Sequence, residues 1–174
     1  MLKERIMYLL NKKIFIMISA LLFSVGAYSL SSDRNKPIKI TADSFTMDNS
    51  KGVSIYSGNV VMIQGTLKVT GDKLTAHTDK NKKLTKVVVI GNKATYEQLP
   101  DNQPDKIKGS AKTIEYNYDK KEYVTFLKEA HLKQKTNEFT GDRIKYTAKD
   151  DYVEASGNTP KKPVTVIIYP DEQK

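Results

Sequence analysis

From residue 38 onward the chain alternates apolar and polar positions with a period of two. Ile38 and Ile40 alternate with Lys39 and Thr41, and Val53 and Ile55 flank Ser54. Leu67 and Val69 alternate with Lys68 and Thr70, and Ile144 and Tyr146 oppose Arg143 and Lys145. Ile114, Tyr116 and Tyr118 face away from Thr113, Glu115 and Asn117, and Val164, Val166 and Ile168 close the series. Side chains on a strand point alternately to its two faces, so this pattern buries one face of each strand and wets the other. No segment after the first thirty residues sustains a 3.6-residue apolar period. Turn signals separate the runs: Asn49-Ser50-Lys51-Gly52, Ser57-Gly58-Asn59, Lys80-Asn81-Lys82-Lys83, Gly91-Asn92, Asp119-Lys120-Lys121 and Lys149-Asp150-Asp151. Leu99 to Lys106, with Pro100 and Pro104, is expected to be a longer loop. Many short strands at close spacing predict an all-β sandwich, barrel or jelly roll.

One short phrase recurs four times, as a turn signal among alternating apolar residues. It reads Thr41-Ala42-Asp43-Ser44-Phe45, Thr70-Gly71-Asp72-Lys73-Leu74, Ser110-Ala111-Lys112-Thr113-Ile114 and Thr140-Gly141-Asp142-Arg143-Ile144. Successive copies lie 29, 40 and 30 residues apart, the longer gap containing the proline loop. A period near 30 implies stacked β units, which make a surface or a conduit more often than a pocket. Unless such a sheet closes, its end strands carry unpaired N–H and C=O groups. The expected edges are Ile38 and Ile40 at one end and Val164, Val166 and Ile168 at the other. Pro37 and Pro163 stand just before them, where a missing donor is tolerated. Such edges accept a strand from another chain, and the contact is heterologous, so it propagates head to tail.

The first thirty residues carry a different pattern. Lys3, Arg5, Lys12 and Lys13 precede an apolar run from Ile14 through Val25, and Ala27-Tyr28-Ser29 follows with small residues spaced for cleavage. This is the layout of a secretory signal peptide, with a core shorter than the roughly 20 residues that span a bilayer. The expected organisation is a leader over residues 1–29 and one β domain over 30–174, exported to a periplasm. Removing the leader takes away four basic residues and one acidic one, so the net charge of +9 becomes +6. There are no cysteines, which excludes disulfides, thiol chemistry and a lipid-modified N-terminal cysteine.

Candidate chemistry is sparse. His77 and His131, the two histidines, lack metal-ligand spacing to any partner, so no metal site is expected. Asp43, Asp72 and Asp142 recur with the repeat, but among turn residues and outside any calcium-loop pattern. No nucleophile elbow, phosphate-cradling glycine loop or dinucleotide fingerprint occurs, and neither an enzyme activity nor a cofactor is expected. The basic excess and ten tyrosines suit single-stranded nucleic acid in composition. The lysines are scattered among turns, however, and the leader removes the chain from the cytoplasm, so nucleic acid is not the expected partner. An anionic amphiphile fits better, its phosphates meeting Lys or Arg at the rim of an apolar trough.

The segment Gly58-Asn59-Val60-Val61-Met62-Ile63-Gln64-Gly65-Thr66-Leu67-Lys68-Val69-Thr70-Gly71-Asp72-Lys73-Leu74 resembles the OstA-type repeat of the LptA family of periplasmic lipopolysaccharide-transport proteins. Lys36-Pro37-Ile38-Lys39-Ile40 resembles the start of that family's mature chain, and Gly91-Asn92-Lys93-Ala94-Thr95-Tyr96 its central phrase. Glu138-Phe139-Thr140-Gly141-Asp142-Arg143-Ile144-Lys145-Tyr146 is similar to its last copy.

The resemblance implies an antiparallel, V-shaped β-jelly roll with open edges and an apolar interior, and a role in carrying lipopolysaccharide as part of a protein bridge. It further implies an LptC-like inner-membrane partner at the N-terminal edge and an LptD-like outer-membrane translocon at the C-terminal edge, with head-to-tail stacking of copies. The family's lipid-facing interior maps onto Ile38, Ile40, Tyr96, Tyr116 and Tyr118. The chain places Tyr where the family has Phe or Leu, and a trough rich in hydroxyls needs partners for them when dry. The rival expectation is a structural β-repeat scaffold whose filled core carries no lipid.

Overall fold

The computed structural model describes residues 32–101, 103–118, 122–159 and 163–169; the expected leader lies outside them. After a 3₁₀ turn at Ser32–Asn35 come ten strands. They are β1 (Ile38–Thr41), β2 (Ser44–Asp48), β3 (Val53–Gln64), β4 (Leu67–Thr78), β5 (Leu84–Gln98), β6 (Ile107–Asn117), β7 (Tyr123–Gln134), β8 (Asn137–Thr147), β9 (Tyr152–Ser156) and β10 (Thr165–Ile167). All pair antiparallel in one sheet, ordered β1-β3-β4-β5-β6-β7-β8-β10. β2 continues the line of β1 along β3, and β9 lies beside β10 along β8. The long loop falls where expected, between β5 and β6. Neither outer edge is paired among the described residues. Val164 and Ile168 flank β10, and Val166 lies within it.

The repeated phrases occupy a different place from the one their composition suggests. Each sits within or between collinear strands, at a shift of register, rather than at a hairpin. The shifts fall at Ser57/Val60, Thr70/Lys73, Ile90/Ala94, Ser110/Thr113 and Leu127/Ala130, so they line up across the sheet. Bulges bend a strand and raise its twist. A row of them creases the whole sheet and divides it into two arms. Ser57-Gly58-Asn59 and Gly91-Asn92 belong to this crease, because bulges and hairpin turns draw on the same residue types. Gly58 (φ +81°) and Asn59 (φ +46°) adopt left-handed backbone there, as do Lys128 and Glu129 on β7. The recurring aspartates brace the line. Asp43 accepts from the Asn59 side-chain amide (2.9 Å), and Asp72 from the Asn92 backbone N–H (3.0 Å).

The two arms bury their inner faces against each other. Met62, Leu67, Val69, Tyr96, Ile107 and Leu132 come from one arm; Leu74, Val87, Ile114, Phe126, Ile144 and Tyr146 come from the other. Next to the crease the arms are too close for large side chains, and Gly71, Ala94, Ala111, Ala130 and Gly141 stand there. Gly109 shows how tight the fit is farther out. A Cβ on it would lie 2.3 Å from the Phe126 ring of the opposite arm. Gly109→Ala is expected to destabilise the fold by about 1–3 kcal/mol in urea denaturation, as overpacking does. Most of that cost should disappear in a Phe126→Leu background, because the two residues oppose each other directly.

Candidate functional site

The inner face is assembled rung by rung from cross-strand partners. On the first arm Ile40, Met62, Val69, Tyr96, Gly109, Leu132, Phe139 and Val166 lie opposite one another in succession. On the second, the row runs Phe45, Tyr56, Leu74, Val89, Ile114, Phe126, Ile144 and Ala155. The first row crosses eight strands, about 34 Å at the usual inter-strand spacing of roughly 4.8 Å. Both rows continue to the sheet's ends, where inward-facing residues meet solvent. Ile38 is 38% exposed, Phe45 52%, Met47 55% and Val166 47%. The apolar inner face is thus covered in the middle and reaches solvent at both ends.

Tyr96, Tyr116 and Tyr118 come together in the interior, whereas Ile38 and Ile40 lie at its N-terminal rim. Ile40 packs on the core and Ile38 is more exposed. Tyr96 stacks with Tyr116 at 6.5 Å between ring centroids and meets Phe126 edge-on at 5.6 Å. Tyr116 and Tyr118 are tilted against each other at 4.6 Å. These contacts join the two arms and fill the middle of the trough. Burial pushes the hydroxyls of Tyr96, Tyr116 and Tyr118 up from the ordinary phenol range, so they stay protonated and can donate.

Two of these donors have partners that sequence reasoning missed. The Tyr96 hydroxyl donates to Gln98 Oε1, and the Tyr118 hydroxyl to Gln64 Oε1 at 3.0 Å. Both glutamines are buried, and their signal was parity: Gln64 continues the alternation of Val60 and Met62, and Gln98 that of Ala94 and Tyr96. Their amide groups in turn reach the N-terminal segment. Gln98 Nε2 donates to Asp33 Oδ2 (3.1 Å), and Gln64 Nε2 donates to the carbonyls of Arg34 (3.2 Å) and Lys36 (3.1 Å). Asp33 also accepts from the Thr66 N–H and hydroxyl, both at 2.6 Å.

From the same segment Arg34 crosses to the other arm. Its Nη2 donates to the Tyr118 carbonyl at 2.8 Å, and its Nη1 lies 3.0 Å from Glu122 Oε1, off the hydrogen-bonding axis. At the C-terminal end Gln134 Nε2 donates to Asp151 Oδ1, a second link between the tips of the arms. The histidines stand apart from this interior. His131 lies 3.7 Å from Glu138, and His77 lies opposite Val53 and Lys86. Among the described residues no group of acidic residues and histidines is placed to hold a metal.

Comparison with known proteins fits this geometry. The profile of the family described as LptA/(LptD N-terminal domain) LPS transport protein matches residues 39–152. The chain is 34% identical to the lipopolysaccharide export system protein LptH of Pseudomonas aeruginosa over 162 residues, covering 90% of this chain and 92% of that one. It is 29% identical to the lipopolysaccharide export system protein LptA of Escherichia coli over 151 residues, covering 86% and 80%. The crystal structure of the P. aeruginosa LptH, the periplasmic component of a lipopolysaccharide transport device, superposes with a TM-score of 0.73 over 80% of this chain and 99% of that one.

The clearest pH signature of the site comes from Glu122. Burial raises its carboxyl above the ordinary range, and Arg34 offsets this only in part. A carboxyl raised in the folded state costs stability above its folded pKa, and the cost disappears as pH falls through that value toward the unfolded one. Glu122→Gln should therefore gain stability relative to the parent at neutral pH. The gain should shrink as pH falls to about 4, which denaturant titrations across that range would measure.

Proposed function

The chain belongs to the LptA/(LptD N-terminal domain) family of LPS transport proteins, and from that premise we propose that it carries lipopolysaccharide between membranes as a periplasmic bridge protein. The observation that supports this most is the inward apolar face, which runs without a break from one open edge to the other. Acyl chains would lie along that face, while the phosphorylated sugars stay outside the mouth between the arm tips. Each methylene withdrawn from water is worth about 0.8 kcal/mol, so partial shielding of several chains is a large term. In the closed interior Tyr96, Tyr116, Tyr118 and Phe126 occupy the space, so the arms must part and these rings turn aside for a chain to enter. Ile38, Ile40, Tyr96, Tyr116 and Tyr118 would then line the lipid.

Such binding is non-enzymatic and has no direction of its own. Movement would be driven from upstream. The leader over residues 1–29 would be removed on export near Ser29, leaving residues 30–174 as the working chain. The N-terminal edge, Ile38 and Ile40 on β1, would accept a strand from an LptC-like inner-membrane protein. The C-terminal edge, with Val164, Val166 and Ile168, would add to an LptD-like translocon or to the N-terminal edge of another copy. Continuity of the inner face across such joints would carry the acyl chains from one protein to the next.

The well-packed centre favours a second reading, a scaffold whose interior is ordinary core. A fluorescent acyl probe separates the two. The conduit takes up the probe, and lipopolysaccharide displaces it while its deacylated sugar portion does not. A scaffold shows no saturable uptake.

A further inference from the structure

The 3₁₀ turn at Ser32–Asn35 is tied to both arms across the mouth of the interior. Asp33 is buried and holds the first arm through Thr66 and Gln98, while Arg34 holds the second through the Tyr118 carbonyl and Glu122. The same turn is wired to the rings that fill the trough. Tyr96 is held by Gln98, and Gln98 by Asp33. Tyr118 is held by Gln64, and Gln64 by the carbonyls of Arg34 and Lys36. The connections span 65 residues from Asp33 to Gln98 and 84 from Arg34 to Tyr118, so they fix tertiary placement rather than a local turn.

We propose that residues 32–36 form a strap that latches the two arms together across the mouth between β3 and β7, and that its release admits the ligand. This rests on the lipid-carrying reading above and adds its regulation. Two physical consequences follow from the wiring. While the strap is seated, parting the arms breaks charge-assisted hydrogen bonds to Asp33 and Arg34, which are about twice as strong as neutral ones. Once it leaves, Gln64 and Gln98 lose the partners that orient them, and Tyr96 and Tyr118 lose their fixed acceptors. Buried hydroxyls without fixed acceptors are costly in a dry core. The closed arrangement is then weakened where acyl chains would replace the rings. The strap also lies immediately before β1, so a strand added along the open edge of β1 would meet it directly. Docking at that edge and opening of the interior would share one segment.

The test uses the chain from Leu30 onward, with a dansyl-labelled long-chain fatty acid as probe. Arg34→Ala removes the hold on the second arm. Thr66→Val removes a hydroxyl partner of Asp33 at an exposed turn position, together with that hydroxyl's contacts to the Leu99 backbone. Lys80→Ala, an exposed residue in the β4–β5 hairpin away from the strap, is the control. Probe association is followed by stopped flow, seating of the strap by hydrogen exchange at the Thr66 amide, and folding by circular dichroism. Loss of a charge-assisted contact should speed association about tenfold in Arg34→Ala, less in Thr66→Val, and not at all in Lys80→Ala. Faster exchange at Thr66 with unchanged association, in a chain that does bind the probe, would overturn the strap alone. Absence of binding in the parent and in both variants would overturn the lipid reading, and the strap's role with it.

Discussion

One crease governs this protein. The strands are 11 to 15 residues long through the body of the sheet, and left straight they would make a twisted slab with one apolar face in water. The aligned bulges bend every one of them at the same height, so the slab covers its own apolar face. The choice of residues follows from that bend. Small side chains stand where the arms converge, and aromatic ones where the arms have diverged enough to admit a ring. Left-handed backbone at Gly58 and Asn59 and at Lys128 and Glu129 keeps the line of bulges in place. The crease spares the sheet any second layer, and among the described residues it leaves both edges unpaired because folding across the strands does not close them.

Those open edges and the covered face belong together. A closed barrel would have no edge strands to add to another chain. A flat sheet would have no protected interior. The creased sheet has both, and its inner rows run directly into the exposed Phe45 and Met47 at one end and Val166 at the other. Closing such an interior without lipid brings tyrosine hydroxyls into a dry space. Buried glutamines accept from Tyr96 and Tyr118, and the glutamines are oriented by the N-terminal turn. The covered face and the tips of the two arms are thereby joined through a handful of polar groups.

Much of this was legible in the sequence. Period-two alternation placed the strands and the inward parity of Ile38, Ile40, Tyr116 and Tyr118, and the resemblance added Tyr96. The repeated phrase marked a structural feature at the right positions, but not its nature. A Gly-Asp pair serves a bulge as well as a hairpin, and composition alone does not separate them. The glutamines at inward positions were readable as exceptions to the apolar parity. The roles of Asp33 and Arg34 were not, because their partners lie up to 84 residues away and only the fold brings them near. Phe126 against Gly109 is of the same kind, a fit between arms that no local pattern announces.

The proposed function turns on whether the inward face carries lipid along its length. In-cell photocrosslinking tests it most directly, with a photoreactive side chain at Tyr116 on the inward face and at its neighbour Glu115 on the outward one. Lipopolysaccharide is expected to attach at Tyr116 and not at Glu115. A folded, exported chain that labels at neither position, or equally at both, would contradict it.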